Sequence, residues 1–204
     1  MVVAVKKKVE YVEIKRRVVV VVKELLMKPE NMMNNHAYVV DRLRRLPRKM
    51  LLLYGLDNVT EFVLHELASK HCFDLKKVAY FIDNPDFNCF KGVVGVSNSE
   101  VHDIEDIWAN PDTFTRQMVE SPFNQHVRSF TYKSHKKNSE PYEKAADIIA
   151  HELGLENYDF YSWDMKHDNH GFVVCEKNDI ADQEKFHDDI IIDGLSLLSF
   201  CPVH

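Results

Sequence analysis

Tyr158-Asp159-Phe160-Tyr161-Ser162-Trp163-Asp164-Met165-Lys166-His167-Asp168-Asn169-His170-Gly171-Phe172-Val173-Val174-Cys175-Glu176-Lys177 is the stretch on which the reading of the fold turns. Two runs rich in aromatic and β-branched residues, the types that suit a pleated strand, flank a tip of turn-forming residues, His167 to Gly171. The stretch reads as a β-hairpin. A strand period of two puts Tyr161, Trp163 and Met165 on one face and Phe160, Ser162 and Asp164 on the other. The first face is apolar. The second turns polar toward the tip, as at a sheet edge that opens into a cleft.

Working outward, Val78 to Asp83 reads as a buried strand, Asn84-Pro85-Asp86 as a turn, and Gly92 to Val96 as the next strand. Val127 to Lys133 alternates like a further strand. Helices are expected from Asn58-x-x-Glu61 over 58–71, from Ser97-x-x-Glu100 through Trp108, and after Asn110-Pro111. Another begins at Ser139, carries the stripe Tyr142, Ala145, Ala146, Ile149 and Leu153, and stops at Gly154. A short helix over 181–187 precedes an apolar run from Ile190 to Phe200, bulged at Gly194. Strands and helices are both frequent without strict alternation. That predicts an α+β fold, a mixed or antiparallel sheet of about five or six strands packed by helices.

The N-terminal part differs in character. Val5, Val9, Val12, Val19 and Leu26 give a rough helical stripe over 2–27, and Pro29 ends it. A second helix over 33–46 carries Ala37, Val40, Leu43 and Leu46 and ends in the basic set Arg42, Arg44, Arg45, Arg48 and Lys49. Residues 1–54 are therefore expected to form a helical arm on an α+β body of 55–204.

The chain has 204 residues, 45% of them hydrophobic, which is enough for a substantial core. A net charge of -6 argues against an extended nucleic-acid surface. Cys72, Cys89, Cys175 and Cys201 lie too far apart for a zinc-ribbon pattern or a disulfide framework, and read as free thiols. No stretch matches a signal peptide or a membrane span, so a soluble cytoplasmic protein is expected. Lys91-Gly92-Val93-Val94-Gly95 is too sparse in glycine to cradle a phosphate and reads as strand.

Two polar concentrations carry the chemical candidates. His151-Glu152-Leu153-Gly154-Leu155 begins like a zincin metalloprotease motif, but Leu155 stands where the second zinc ligand belongs; His65-Glu66-Leu67-Ala68-Ser69 fails in the same way at Ser69. Asp164-x-Lys166 resembles the acidic-x-Lys element of the restriction-endonuclease-like nucleases. The resemblance implies a carboxylate at Asp164 holding Mg²⁺ and a Lys166 that orients or activates water. It also implies an upstream acid, Asp86 or Asp112, and a helix glutamate, Glu152. Independently, Asp164, His167 and His170 are spaced so that a curled turn could gather them around Zn, Mn or Fe.

These patterns lead to one expectation: a divalent-metal-dependent hydrolase (Mn, Zn or Mg) acting on phosphodiesters. Asp164 and Lys166 are its catalytic residues, and His167, His170 and Asp86, or the nearby Asp83, its metal ligands. It requires the 83–91 loop and the 164–170 tip to converge. The alternative is a non-catalytic interaction or oligomerisation protein that uses residues 1–54 as its contact.

Overall fold

The computed structural model describes residues 29–53, 56–101, 106–178 and 188–202, with side chains from residue 36 onward except that of Asp188. The helix expected over 2–27 and the short one over 181–187 lie outside the described residues. Two compact units divide the chain, 1–38 and 39–204. The second contains the sheet and, of the described helices, all but the first turns of the one that begins at Pro29.

Among the described residues there are seven α-helices and one five-stranded antiparallel sheet, so the fold is α+β. In chain order the elements are α1 (Pro29–Leu52), α2 (Val59–Ala68), β1 (Leu75–Asn84), β2 (Cys89–Ser97), α3 (Pro111–Glu120) and α4 (Pro122–Ser129). Then come β3 (Thr131–Tyr132), α5 (His135–Asn138), α6 (Tyr142–Leu153), β4 (Tyr158–Asp164), β5 (His170–Lys177) and α7 (Asp188–Ser196). A 3-10 turn, Lys166–Asp168, joins β4 to β5, and another, Leu197–Phe200, follows α7. The strand order is β3-β2-β1-β5-β4.

Helices cover both faces of the sheet, and the period of two sorts its side chains between two cores. Val78 and Tyr80 of β1, Val94 and Val96 of β2, Tyr161 and Trp163 of β4 and Val173 and Cys175 of β5 face one core with α2, α3 and α7. Ala79, Phe81, Phe90, Phe172 and Val174 face the other, with α4 and α6. Burial on both faces explains why β1 and β5 read as continuous apolar runs. Tyr80 and Trp163 stack at 5.8 Å across the first core.

The 158–177 hairpin forms as its alternation predicts. Its Gly171 is required: a Cβ there would stand 2.4 Å from the Trp163 ring. Gly92 is required by packing too, since its Cβ would meet the Val127 carbonyl oxygen of α4 at 1.8 Å. A Cβ at Gly95 would stand 2.6 Å from the Val127 side chain, so packing against α4 accounts for both glycines.

Several local expectations give way. Val127–Ser129 ends a helix, because Ser121 caps α4 by accepting from the Asn124 N–H and Pro122 opens it; only Thr131–Tyr132 is strand. Neither capping box forms. The Asn58 side chain makes no cap bond, and Glu61 turns inward to Asn124 and Arg128. Glu100 instead accepts from Ser121 Oγ at 2.6 Å and the Phe123 N–H at 3.0 Å, which ties the start of α4. Ser97 closes β2, and 98–101 and 107–109 are turns and bends. The Ile190–Phe200 run is helical, and Gly194 admits the Phe73 ring, which a Cβ would approach to 2.6 Å. Finally α1 runs through Pro47 to Leu52. Its core face is Val39, Leu43, Leu46 and Met50, continued by Leu53 just past its end, while Ala37 and Val40 are exposed.

Candidate functional site

The two polar concentrations do lie at the same end of the sheet. Asp83 sits opposite His170 in the β1–β5 ladder, and His170 opposite Asp164 in the β5–β4 ladder. Directly opposed residues of antiparallel strands point to the same face. The sheet therefore presents Asp83, His170 and Asp164 in a row, on the face covered by α5 and α6.

Each member of the row has a partner. His170 Nδ1 lies 3.0 Å from Asp164 Oδ1, and its ring stacks on Tyr142 at 4.7 Å. Asp83 is fully buried, and its Oδ2 accepts from the Lys136 backbone N–H at 2.9 Å and from the Tyr142 hydroxyl at 3.1 Å. Burial, then the charge of Asp83, pushes the Tyr142 phenol up, so it remains a donor. Lys136 Nζ stands 2.6 Å from Asp168 Oδ1 and 3.9 Å from Asp164 Oδ1. The hydrogen bond to Asp168 raises its pKa and keeps it cationic.

Three buried atoms in this region lack a hydrogen bond: Asp83 Oδ1, Asn169 Oδ1 and His135 Nδ1, the last 3.5 Å from Glu140 Oε2. Burial pulls the His135 imidazole down, against the pull of Glu140 and Asp83.

The remaining sequence candidates scatter around this row. β4 ends at Asp164, and Lys166 opens the 3-10 turn, so the strand period does not carry Lys166 onto the face of Asp164. Lys166 and His167 are exposed, and His167 and Asp168 both have left-handed backbone, at φ 59° and 58°. Asp86 is exposed in the β1–β2 turn, where the Asn84 side chain accepts from the Phe87 N–H at 3.0 Å. Asp112 is exposed at the start of α3. Glu152 is exposed at the end of α6 remote from the tip, since Tyr142 opens that helix at His170 while Gly154 closes it against Lys77.

Among the described residues no group of three or more His, Cys, Asp or Glu side chains is placed to hold a metal ion. The geometry gives a reason. The Lys136 ammonium already supplies a positive charge beside Asp164 and Asp168. Burial pushes the thiols of Cys72, Cys175 and Cys201 up to about 12, which leaves them without thiolate character at neutral pH.

Sequence reading also missed a buried polar knot on α2. Glu66, expected near a polar face, is buried and accepts from Trp108 Nε1 at 2.9 Å, from Lys49 Nζ at 3.3 Å and from Arg42. Burial alone would raise its carboxyl, but the Trp108, Arg42 and Lys49 contacts lower it overall. The basic end of α1, partly absorbed here, was the available signal.

A second candidate is apolar. Pro47, Met50 and Leu51 of α1, Leu56 and Val59, and Leu197, Phe200, Cys201 and Pro202 line a groove of about 860 Å³, with Asp57 the charged residue on its wall. Leu51 is 71% exposed and Phe200 74%; Leu52, next along α1, is 79% exposed. Strand and turn signals draw a sequence reading elsewhere, because a groove formed by α1 and the C-terminal turn has no local signature.

No family model matches the chain, and no curated protein or solved structure is found to be similar to it. No helix among the described residues is long and apolar enough to cross a membrane.

Proposed function

We propose that this chain is a non-catalytic binding protein, and that the groove between the end of α1 and the Leu197–Phe200 turn is its contact surface. The groove itself carries the reading. Its volume lies within the range of ligand-sized clefts, roughly 300 to 1,000 Å³. Its rim exposes large apolar side chains side by side, an arrangement that marks interaction sites on proteins in water. Its α1 wall belongs to the 1–54 region that the sequence singles out as a contact element. The probe is anilinonaphthalene sulfonate, an apolar anionic fluorophore. Saturable binding to the folded chain, lost in Leu51→Glu at unchanged circular dichroism, is the expected result. A wild-type chain that leaves the dye dark counts against the reading.

A second reading, hydrolysis at the sheet end, has one observation in its favour: the row Asp83, His170, Asp164. There the Asp164–His170 pair would move a proton, and a divalent ion would have to displace the Lys136 ammonium from Asp164 and Asp168. Calorimetric titration with Mn²⁺ and with Zn²⁺ separates the two readings. Saturable heat that disappears in His170→Ala supports hydrolysis, and no heat in the wild type removes it.

A further inference from the structure

Helix α1 is the wall of the groove that can be read for partner chemistry. From Val39 to Leu52 it carries five cations, Arg42, Arg44, Arg45, Arg48 and Lys49. Arg42 and Lys49 bind Glu66 inside the fold, and Arg45 pairs with Asp41 at 2.8 Å. The side chains of Arg44 and Arg48 are exposed and carry neither an ion pair nor a hydrogen bond among the described residues. At about 100° per residue, Val40, Pro47 and Leu51 form one stripe along the helix, and Arg44 and Arg48 run beside it on the solvent side, one turn apart. Two uncompensated guanidinium groups thus border an open apolar groove, on a protein whose net charge is -6.

We infer that the occupant is an acidic amphipathic helix from another protein. Its apolar side chains enter the groove between α1 and Phe200, and its carboxylates pair with Arg44 and Arg48. The inference rests on the groove being the contact surface. Three features favour this occupant. The groove is concave and apolar, which suits the knobs of an amphipathic helix better than the plane of a bilayer. The spacing of Arg44 and Arg48 equals that of two glutamates four residues apart on a partner helix. A second copy of this chain docking groove to groove about a two-fold axis would present the same patch, with its own Arg44 and Arg48, and so add positive charge to an interface that already carries it. Like charges opposed across an interface select against that pairing.

The test uses the full chain and fluorescein-labelled helical peptides with Leu at i, i+3, i+4 and i+7 and either Glu, Gln or Lys at the flanking positions, read by anisotropy. The Glu peptides should bind about tenfold tighter than the Gln peptides, with the Lys peptides weaker still, and the advantage should shrink as salt is raised. The double variant R44E/R48E should reverse the order of the Glu and Lys peptides. Leu51→Glu and, independently, Phe200→Ser should abolish binding of all three; two variants on different elements guard against loss through misfolding of one.

Equal binding of the three peptides, unaltered in R44E/R48E, would overturn the acidic partner and leave the groove as a contact surface. Failure of every peptide together with failure of the dye would remove both. Two further results also overturn the inference. One is a dimer by light scattering that Leu51→Glu dissociates, which makes a second copy the occupant. The other is binding to phosphatidylserine vesicles with no peptide binding, which makes it a membrane.

Discussion

The sheet end and the groove are built on opposite terms. At the sheet end, charged and polar side chains from β1, α5, α6, β4 and β5 crowd together, and the chain itself supplies nearly all their partners. Lys136 answers Asp164 and Asp168, Tyr142 and the Lys136 amide answer Asp83, and Asp164 answers His170. At the groove, apolar side chains from α1 and the C-terminal turn stand exposed, and Arg44 and Arg48 beside them have no counter-ion among the described residues. A dense set of reactive residue types is thus explained by folding, whereas an ordinary set of leucines and a phenylalanine is not.

The largest test of that contrast is at Asp83. If its carboxylate serves mainly to fasten α5 and α6 to the sheet, Asp83→Ala leaves the Lys136 amide and the Tyr142 hydroxyl without an acceptor. The loss expected from hydrogen bonds to a charged group is about 3 kcal/mol, visible as a lower urea midpoint. Unchanged or increased stability would break the comparison, because groups retained for function are commonly held at the expense of stability. The unpartnered Oδ1 makes this a fair contest: it is the feature of Asp83 that packing does not explain.

The pH dependence gives a smaller effect. Burial depresses His135 at the sheet end, and it depresses His65 on α2, where neighbouring Glu66 pulls the other way. His135 is surrounded by Glu140, Asp83 and Lys144, and His65 packs against the Phe114 ring at 5.1 Å. In the unfolded chain both titrate near the ordinary value of about 6.5. Between that value and the lowered folded ones the unfolded state binds more protons, so stability falls as pH drops through the window. Each histidine contributes at most about 1.4 kcal/mol per pH unit. The slope of the urea midpoint between neutral pH and about pH 5.5 should be reduced in His135→Gln, whatever that substitution does to the level. An unaltered slope would mean that His135 takes up its proton alike in the folded and unfolded chain, with Glu140 and Asp83 offsetting the effect of burial.

How much of the fold was legible depended on range. The hairpin, β1, the β1–β2 turn and α6 with its Gly154 stop were written in local periodicity and turn chemistry, and the structure keeps them. The convergence of Asp83 with the 164–170 tip followed from both lying at strand ends. Failures came where a local signal had a distant competitor. Asn58-x-x-Glu61 has the form of a capping box, but Asn124 and Arg128 take the glutamate. Val127–Ser129 alternates, but Ser121 and Pro122 start a helix before it. Glu66 looks like a surface residue until Trp108, 42 positions on, reaches it. The groove was illegible because its walls are separated by most of the chain, and exposed leucines at a helix end look like core in a sequence.

The smallest expected effect sharpens the comparison most. Leu51→Ser removes a large aliphatic side chain, and in a core that would cost about 2 to 5 kcal/mol. Here Leu51 is 71% exposed on the rim, so little apolar area returns to water when it is lost. Stability should move by no more than about 0.5 kcal/mol, the range of ordinary surface substitutions. Leu46, on the preceding turns of the same helix, is buried, and Leu46→Ser serves as the internal contrast. A Leu51→Ser protein as badly destabilised as Leu46→Ser would show that α1 closes over the groove in solution, and that the leucine is core after all. A neutral result, with dye binding lost, would mean that the side chain is kept for something outside the fold.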